Sequence, residues 1–333
     1  MPSASQLLDQ VHWRQTLLAG PGMALIIIYG FLTGQLAEAA IGAGAALSVG
    51  ITAGRSLGFF RWDSIVLVAL GTPVTSLLGS LAGEHALPYA IGCFLAAAGV
   101  GAGSLGHPQY WLIYLQLAIA FIVGGHFPSD FATAFSHSQL VLAGNAVEVL
   151  GIVVMGTLFH ETSKIMPPAP TQTGAVNALE FGVVVGTVVG VTSLVAHAIG
   201  IPNVSWPALT AMIVMRPNLQ NTQQRIWHRT FGTLAGCLIA FTLFSIAPHN
   251  FTYVSMMLVI SLAITFALQP SPRTSYGLFS AAITTSILLL LAFARTDIVQ
   301  DAELRLVSTL LGGAGAWLGA LFLEHVMAKP EQA

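Results

Sequence analysis

The chain has 333 residues, of which 55% are hydrophobic and only 7% are charged, and its formal net charge is -2. A soluble globular protein keeps about a quarter of its residues charged, so this composition excludes a fully water-exposed surface and predicts a polytopic membrane protein. The small negative charge also excludes a nucleic-acid-binding protein, which would carry a basic face.

Apolar runs divide the chain into about twelve predicted membrane spans. A helix needs about 20 apolar residues to cross the hydrocarbon core, and polar or Pro/Gly-rich points separate one run from the next. The first six predicted spans are 16–35, 38–54, 63–83, 86–103, 109–124 and 137–159. The second six are 176–199, 203–216, 222–246, 251–268, 274–294 and 304–327. The predicted fold class is therefore an all-α polytopic membrane protein.

A short polar segment separates the two sets of six spans. Residues 161–174, ETSKIMPPAPTQTG, are rich in proline and have no apolar period, which indicates a linker. The chain is thus predicted to consist of a six-helix repeat at 1–160, a cytoplasmic linker at 161–174 and a second six-helix repeat at 175–333.

The two halves resemble each other weakly in sequence. AALSVGITAGR (45–55) aligns with PALTAMIVMRP (207–217), and the Gly71-Thr72 pair recurs as Gly232-Thr233. Six spans return the chain to the side on which it started, so both halves enter the membrane from the same side. The repeat is therefore predicted to be parallel, with its axis along the membrane normal.

Cations in the short loops predict the orientation of the chain. With the N-terminus in the cytoplasm, nine Lys and Arg fall on the inner side and two on the outer side. The inner set is Arg14, Arg55, Arg61, Lys164, Arg216, Arg225, Arg229, Arg273 and Lys329, and the outer set is Arg295 and Arg305. The positive-inside rule then places both termini in the cytoplasm.

The second span of each half is unusual. Residues 201–215, IPNVSWPALTAMIVM, contain two prolines and reach only about 22 Å of the roughly 30 Å core. Their counterpart, residues 41–54, contains four glycines. Proline removes a backbone donor and breaks the helical ladder, so these spans are predicted to be short or interrupted. Such spans at matching places in two repeats point to a transporter's binding site, where free helix ends attract anions.

Arginines follow both of these spans. Arg216 closes the span of the second half and Arg55 closes that of the first. We interpret the pair as a cationic vestibule at the inner mouth of a central path, which Trp206, Thr210 and Thr52 also line. The alternative is that both arginines reach lipid phosphates and only fix the topology.

Arg225 and Arg229 are four residues apart and share a helix face. Like charges at this spacing repel unless an anion lies between them, which predicts a substrate carboxylate or a lipid head group there. Arg229 lies deeper in its span, where a charge is more costly. Asn221 or Thr222 is predicted to cap this helix.

Glu148 lies in the middle of the span 137–159. A charged carboxylate at the bilayer centre costs about 3 kcal/mol or more, so Glu148 is predicted to carry a proton, and Asn145 is close enough to hydrogen-bond to it. The alternative is a neutral carboxyl that ties two helices together. His197, near the outer end of the seventh span, is a second candidate for proton coupling.

Other chemical functions lack support in the sequence. No cluster of His, Cys or carboxylates has metal-ligand spacing, and no nucleophile elbow or phosphate-binding loop is present, so no enzyme activity and no cofactor are predicted. Cys93 and Cys237 both lie in apolar runs and are interpreted as buried hydrophobic residues.

The segment SWPALTAMIVMRPNLQNTQQRIWHRTFGTLAG resembles the signature of the fusaric acid resistance-like proteins, the superfamily that includes the aromatic acid exporters. The matching positions are Trp206, Pro207, Thr210, Pro217, Thr222, Arg229, Gly232, Thr233 and Gly236. The resemblance implies efflux of organic, often aromatic, carboxylates from the cytoplasm across a bacterial inner membrane. Plant malate-permeable anion channels are distantly similar. Many members carry large soluble domains after each six-span half, and this chain has only a short linker and a short tail.

These observations predict an inner-membrane transporter for a small organic anion. Arg216, Arg229 and Arg55, with Arg225, are expected to attract the substrate, and Glu148 with His197 to couple export to proton entry. A passive anion channel of the same architecture is the alternative, and a homo-oligomer is compatible with either. An enzyme would need a converging nucleophile and base, and a scaffold a soluble partner-facing surface.

Overall fold

The computed structural model describes residues 11–160, 164–165, 177–247, 250–269, 275–294 and 297–327. These residues form twelve α-helices, which account for the all-α fold that the sequence predicts. In chain order they are α1 Trp13–Thr33, α2 Leu36–Thr52, α3 Asp63–Ala82, α4 Ala86–Gly106, α5 Trp111–Gly124, α6 Phe131–Leu158, α7 Ala178–Ala198, α8 Ser205–Val214, α9 Leu219–Ile246, α10 Phe251–Ala267, α11 Tyr276–Ala294 and α12 Ile298–Phe322. A π-helical turn, Leu323–Met327, extends α12.

Eight of these helices are long and apolar enough to cross a membrane, so the chain is a multi-pass membrane protein. The other four, α2, α5, α8 and α10, are shorter apolar helices of 10–17 residues. At 1.5 Å per residue the shortest of them reaches only about 15 Å. The prediction of twelve helices thus agrees with the structure, whereas twelve full crossings remain a prediction.

Helix α8 is short at both ends. It begins at Ser205, seven residues after α7 ends at Ala198, and the chain is extended at Met215 (ψ 136°), two residues before Pro217. A proline is common just after a helix end because it cannot continue the helix. Pro207 does not break α8, contrary to the expectation from sequence. It is the third residue of the helix, where a backbone N–H has no partner inside the helix in any case.

Helix α2 is continuous, although its glycines predicted a possible interruption. Its 17 residues include Gly42, Gly44 and Gly50. A Cβ added at Gly42 would lie 3.5 Å from the Cα of Gly144 on α6. The glycines of α2 therefore serve close helix packing rather than a break in the helix.

Helix starts follow ordinary capping rules. Asn177 and Glu180 form a capping box at α7, with Asn177 accepting from the Glu180 N–H and Glu180 from the Asn177 N–H. At α9 the Asn221 N–H donates to Asn218 Oδ1 at 3.2 Å. The cap of α9 is therefore Asn218, and the predicted cap at Asn221 or Thr222 is wrong.

The loop between α2 and α3 is organised by Asp63, which is 1% exposed. Its carboxylate accepts hydrogen bonds from the backbone amides of Leu57, Phe59 and Ser64, all at 3.0 Å or less. This loop contains strand β1, Arg55–Ser56, which pairs in parallel with β2, Lys164–Ile165. Part of the predicted linker thus pairs with the loop that carries Arg55. Linker residues 161–163 and 166–174 lie outside the described residues.

The chain forms two compact units. The first comprises Met1–Leu70, Gln139–Ile165 and His228–Glu303, and the second Gly71–Ser138, Met166–Trp227 and Leu304–Ala333. The first unit contains the whole of α1, α2, α10 and α11, and the second contains the whole of α4, α5, α7 and α8. The remaining four helices contribute residues to both units, so each unit draws on both halves of the sequence.

Helix packing follows the same pattern in each unit. In the first unit α1 packs against α2 and α10, and α11 packs against the same two helices. In the second unit α7 packs against α8 and α4, and α5 packs against the same two helices; α4 also touches α8. Each helix of the first half corresponds to the helix six places later, so α1 and α2 correspond to α7 and α8, and α4 and α5 correspond to α10 and α11. With this correspondence the first four pairs become the second four.

Candidate functional site

Glu148 is buried in the core of the first unit, with a relative exposure of 0%. A Cβ added at Gly50 would lie 2.9 Å from its Oε1 and 2.6 Å from the ring of Phe266, and a Cβ added at Gly22 would lie 2.9 Å from the Cα of Glu148. The backbone amide of Met23 lies near the carboxyl group. Neither oxygen, however, meets hydrogen-bond geometry with any group of the described residues.

Asn145 does not hydrogen-bond to Glu148, contrary to the expectation from their spacing. Its Nδ2 donates to the carbonyl oxygen of Ala69 on α3 at 3.0 Å. Pro73, four residues after Ala69, has no N–H and leaves this carbonyl without its helical donor. Asn145 therefore supplies the hydrogen bond that Pro73 cannot donate to the Ala69 carbonyl in the neighbouring helix.

Replacing Asn145 by Ala is expected to destabilise the protein by about 1–3 kcal/mol, because the Ala69 carbonyl would be buried without a donor. Denaturant titration of the purified protein in detergent micelles measures this loss. Thr187→Ala is the matched control, since Thr187 is exposed and its hydroxyl donates to the Val183 carbonyl within its own helix. Equal stability of Asn145→Ala and Thr187→Ala would contradict the role given to Asn145.

Arg229 is buried between α9 and α11, also in the first unit, with 4% exposure. Its Nη1 donates to Ser280 Oγ over a long 3.4 Å, and its Nε–H has no partner in the described part of the chain. Two further buried hydroxyls, of Thr233 and Thr284, have no hydrogen-bond partner among the described residues. Thr233 is one helical turn from Arg229, and Thr284 is one turn from Ser280, so the polar groups follow the α9–α11 contact.

Arg216 is half-buried in the turn after α8, in the second unit. Its Nη1 donates to the Met215 carbonyl at 2.7 Å, and its backbone N–H donates to Thr222 Oγ1 at 2.9 Å. The Thr222 hydroxyl in turn lies 3.1 Å from the Arg216 carbonyl oxygen. A cation at the carboxyl end of a helix also matches the helix dipole. Thr222 thus fixes the turn that places Arg216 directly after α8.

Trp206 contacts a cation that the sequence analysis assigned only to topology. The Arg305 guanidinium carbon lies 4.8 Å from the centre of the Trp206 ring, and Arg305 is 4% exposed. Thr210, one turn along α8, packs against Gly312 of α12, where an added Cβ would be 2.7 Å from the Thr210 Cβ. The cost of burying Arg305 within an apolar helix is the sequence signal that could have identified it.

The other predicted site residues differ in burial. Thr52 is fully buried and donates to the Val49 carbonyl of its own helix at 2.7 Å. Arg55 is half-buried at the start of β1, and burial lowers the pKa of its guanidinium from the ordinary value. Arg225 is half-buried on α9, and His197 is exposed in the last turn of α7.

The predicted residues therefore fall into two sets. Glu148, Arg229, Thr52 and Arg55 belong to the first unit, whereas Arg216, Arg225, Trp206, Thr210 and His197 belong to the second. Among the described residues, no group of three His, Cys, Asp or Glu side chains could hold a metal ion. Cys93 and Cys237 are both buried, as the sequence predicts.

Comparison with known proteins supports the resemblance found in the Trp206–Gly236 segment. A curated relative, "Uncharacterized protein ORF2" of Neisseria gonorrhoeae, is 26% identical over 136 residues, which are 41% of this chain. The matched stretch is 32% of that relative, so the chain spans about a third of its length. No solved structure matches the chain. Residues 191–319, a stretch that includes the Trp206–Gly236 segment, match the family model described as fusaric acid resistance protein-like, which is the family that the sequence motif resembles.

Proposed function

We propose that the chain exports small organic carboxylates, aromatic ones among them, across a bacterial inner membrane in exchange for protons. The family match and the eight apolar helices support a transporter-type role. The single observation that carries the coupling proposal is the fully buried carboxyl of Glu148, which has no hydrogen-bond partner among the described residues.

The environment of Glu148 suits a group that binds and releases a proton. A neutral carboxyl tolerates burial far better than a carboxylate, which needs a cation or several donors beside it. Gly22, Gly50 and Phe266, which surround the group, offer no charge. Glu148 is therefore expected to be protonated in this conformation and to release its proton only when the protein opens it to water.

The environment of Arg229 suits an organic anion. A buried guanidinium is costly unless a negative group compensates it. The unpaired Nε–H of Arg229 and the hydroxyls of Thr233 and Thr284 are donors of the kind that carboxylate oxygens accept. We place the substrate carboxylate beside Arg229, while Arg216, Arg225 and Arg55 draw anions to the cytoplasmic face.

The paired helix contacts support the proposed two-repeat architecture. Each of the four contacts α1–α2, α1–α10, α10–α11 and α2–α11 has a counterpart six helices away. A parallel repeat of six helices predicts this correspondence, because each helix of one half then has the same neighbours as its counterpart in the other half. Cytoplasmic termini and a homo-oligomeric state are part of the same proposal and await topology mapping and mass measurement.

Radiolabelled organic-acid uptake into inverted membrane vesicles tests the function. The vesicle interior corresponds to the periplasm, so an acidic interior should drive uptake of the labelled acid from the cytoplasmic face. A protonophore should remove this uptake, and vesicles without the protein should show none. Equal uptake with and without the gradient would reject coupling to protons.

A passive anion channel is the second candidate. The observation in its favour is the 10-residue helix α8, which is too short to span the core and leaves non-helical backbone on both sides. A channel should conduct anions without a proton gradient, and Glu148→Gln should then hardly change the current. Electrical recording from the same membranes separates the two candidates.

A further inference from the structure

The last helix of each half carries a similar pattern of small residues. GNAVEVLG, residues 144–151 of α6, and GGAGAWLG, residues 312–319 of α12, agree at both terminal glycines, at the alanine and at the leucine. This register places Ala316 at the position of Glu148.

Packing contacts support the register independently of the sequence. Gly144 of α6 lies against Gly42 of α2, and Gly312 of α12 lies against Thr210 of α8. Helices α2 and α8 are the second helices of their halves. A Cβ added at Gly151 would lie 3.0 Å from the Cα of Gly22 on α1, and Gly319 lies against Val188 of α7. Helices α1 and α7 are the first helices of their halves.

The side chains at the two positions differ in size and chemistry. In the first half the long side chain of Glu148 faces Gly22 and Gly50. In the second half Ala316 is fully buried and ends in a methyl group. An added Cβ at Gly315 would lie 2.6 Å from Thr192 Oγ1 and 3.6 Å from Val188 Cγ1, and one at Gly319 would lie 2.9 Å from Met215 Cε. The second half thus has no carboxyl at this position, and Val188, Thr192 and Met215 pack against the glycines on either side of it.

We infer that the proton-binding position exists in only one half of the repeat. Glu148 occupies a glycine-lined site between α1, α2 and α6, whereas the equivalent position in the second half is Ala316, whose flanking glycines pack against Val188, Thr192 and Met215. The inference rests on the proposed role of Glu148. It makes the two halves functionally unequal and gives one exchangeable proton per chain at this pair of positions.

Among the described groups packed against Glu148, none binds or releases a proton, so Glu148 is the titratable group of this site. Helix α1 presents Gly22 and the Met23 backbone, α2 presents Gly50, and α10 presents Phe266. These groups bind no proton. Glycine at 22 and 50 is required for the fit, since an added Cβ at either position would crowd the Glu148 carboxyl or backbone.

Infrared titration of the purified protein in detergent micelles tests the inference without any transport measurement. The absorption of a protonated carboxyl in an apolar site is expected in the parent protein, lost in Glu148→Gln and retained in Ala316→Ser, the matched change at the counterpart position. A full carboxyl signal in Glu148→Gln would overturn the inference, and so would its loss in Ala316→Ser.

A transplanted acid gives a second test. Ala316→Glu combined with Val188→Gly, in the Glu148→Gln background, supplies both the acid and the space, and should restore a protonated-carboxyl signal if the positions are equivalent. A folded triple variant without that signal would refute the equivalence of the two positions. If vesicles show no organic-acid export while Glu148→Gln removes the signal, the proposed function fails and the single proton site stands.

Discussion

Replacing Glu148 by Gln is expected to abolish proton-driven accumulation of the organic acid while leaving the protein folded. Glutamine has nearly the same volume as a protonated glutamic acid and can occupy the same space against Gly22 and Gly50. It cannot release a proton. Since one pH unit corresponds to about 1.4 kcal/mol per proton exchanged, a parent protein that exchanges one proton per substrate molecule should accumulate substrate about tenfold for each unit of gradient when the membrane potential is held at zero. The variant should accumulate none.

Exchange measurements separate lost coupling from a lost binding site. Exchange of labelled for unlabelled acid across a vesicle membrane needs substrate binding but no net proton movement, and Glu148→Gln should retain it. Glu148→Asp is the companion variant, because it keeps the carboxyl on a shorter side chain and should retain partial coupling. Undiminished proton-driven accumulation in Glu148→Gln would remove Glu148 from the mechanism.

Replacing Arg229 by Gln is expected to weaken substrate binding by about 10- to 100-fold, the effect of losing a charge-assisted hydrogen bond in a buried site. Arg229→Lys should lose part of this affinity, because lysine keeps the charge but cannot donate two parallel hydrogen bonds to a carboxylate as a guanidinium does. The measurement is equilibrium binding of a labelled aromatic carboxylate to the purified protein. Folding is checked by elution from a sizing column.

Arg225→Gln is the matched control for Arg229. Arg225 lies one turn earlier on the same helix and is half-buried, so its loss should affect binding less than the loss of Arg229.

Arg216→Gln is expected to reduce transport from low substrate concentrations, because Arg216 draws anions to the cytoplasmic face. Unchanged transport in an Arg216→Gln, Arg229→Gln double variant would show that the substrate site lies elsewhere.

Helix positions could be predicted well from this sequence because membrane-spanning helices consist of long runs of apolar residues. The twelve predicted ranges and the twelve observed helices differ mostly by a few residues at their ends. Helix α8 shows that the effect of a proline depends on its position in the helix. The prolines at 202 and 207 suggested a broken span. Pro202 lies in the non-helical stretch between α7 and α8, whereas Pro207 is accommodated in the first turn of α8.

Side-chain partners could not be predicted, because they depend on which helices become neighbours. Asn145 is one turn from Glu148, yet its partner is the Ala69 carbonyl that Pro73 leaves free on another helix. Arg305 was assigned to an outer loop, whereas it lies buried over the ring of Trp206. In both cases the sequence showed a polar group that needs a partner but held no information on tertiary neighbours.

The repeat illustrates the same limit at a larger scale. Alignment of residues 45–55 with 207–217 indicated that the halves are related, but it could not connect Glu148 to a counterpart. The contacts of Gly151 with Gly22 and of Gly319 with Val188 supply that register. Only with this register does the replacement of the Glu148 carboxyl by the methyl group of Ala316 become visible.

Transport in liposomes that contain only the purified protein is the decisive measurement for proton-coupled export through Glu148. A pH gradient is imposed, and the internal pH and the labelled aromatic carboxylate are followed together. We expect the acid to accumulate against its own gradient while protons move the opposite way, and Glu148→Gln to stop both movements but not exchange. Movement of the acid only down its own gradient, unaffected by pH and by Glu148→Gln, would contradict proton coupling at this residue.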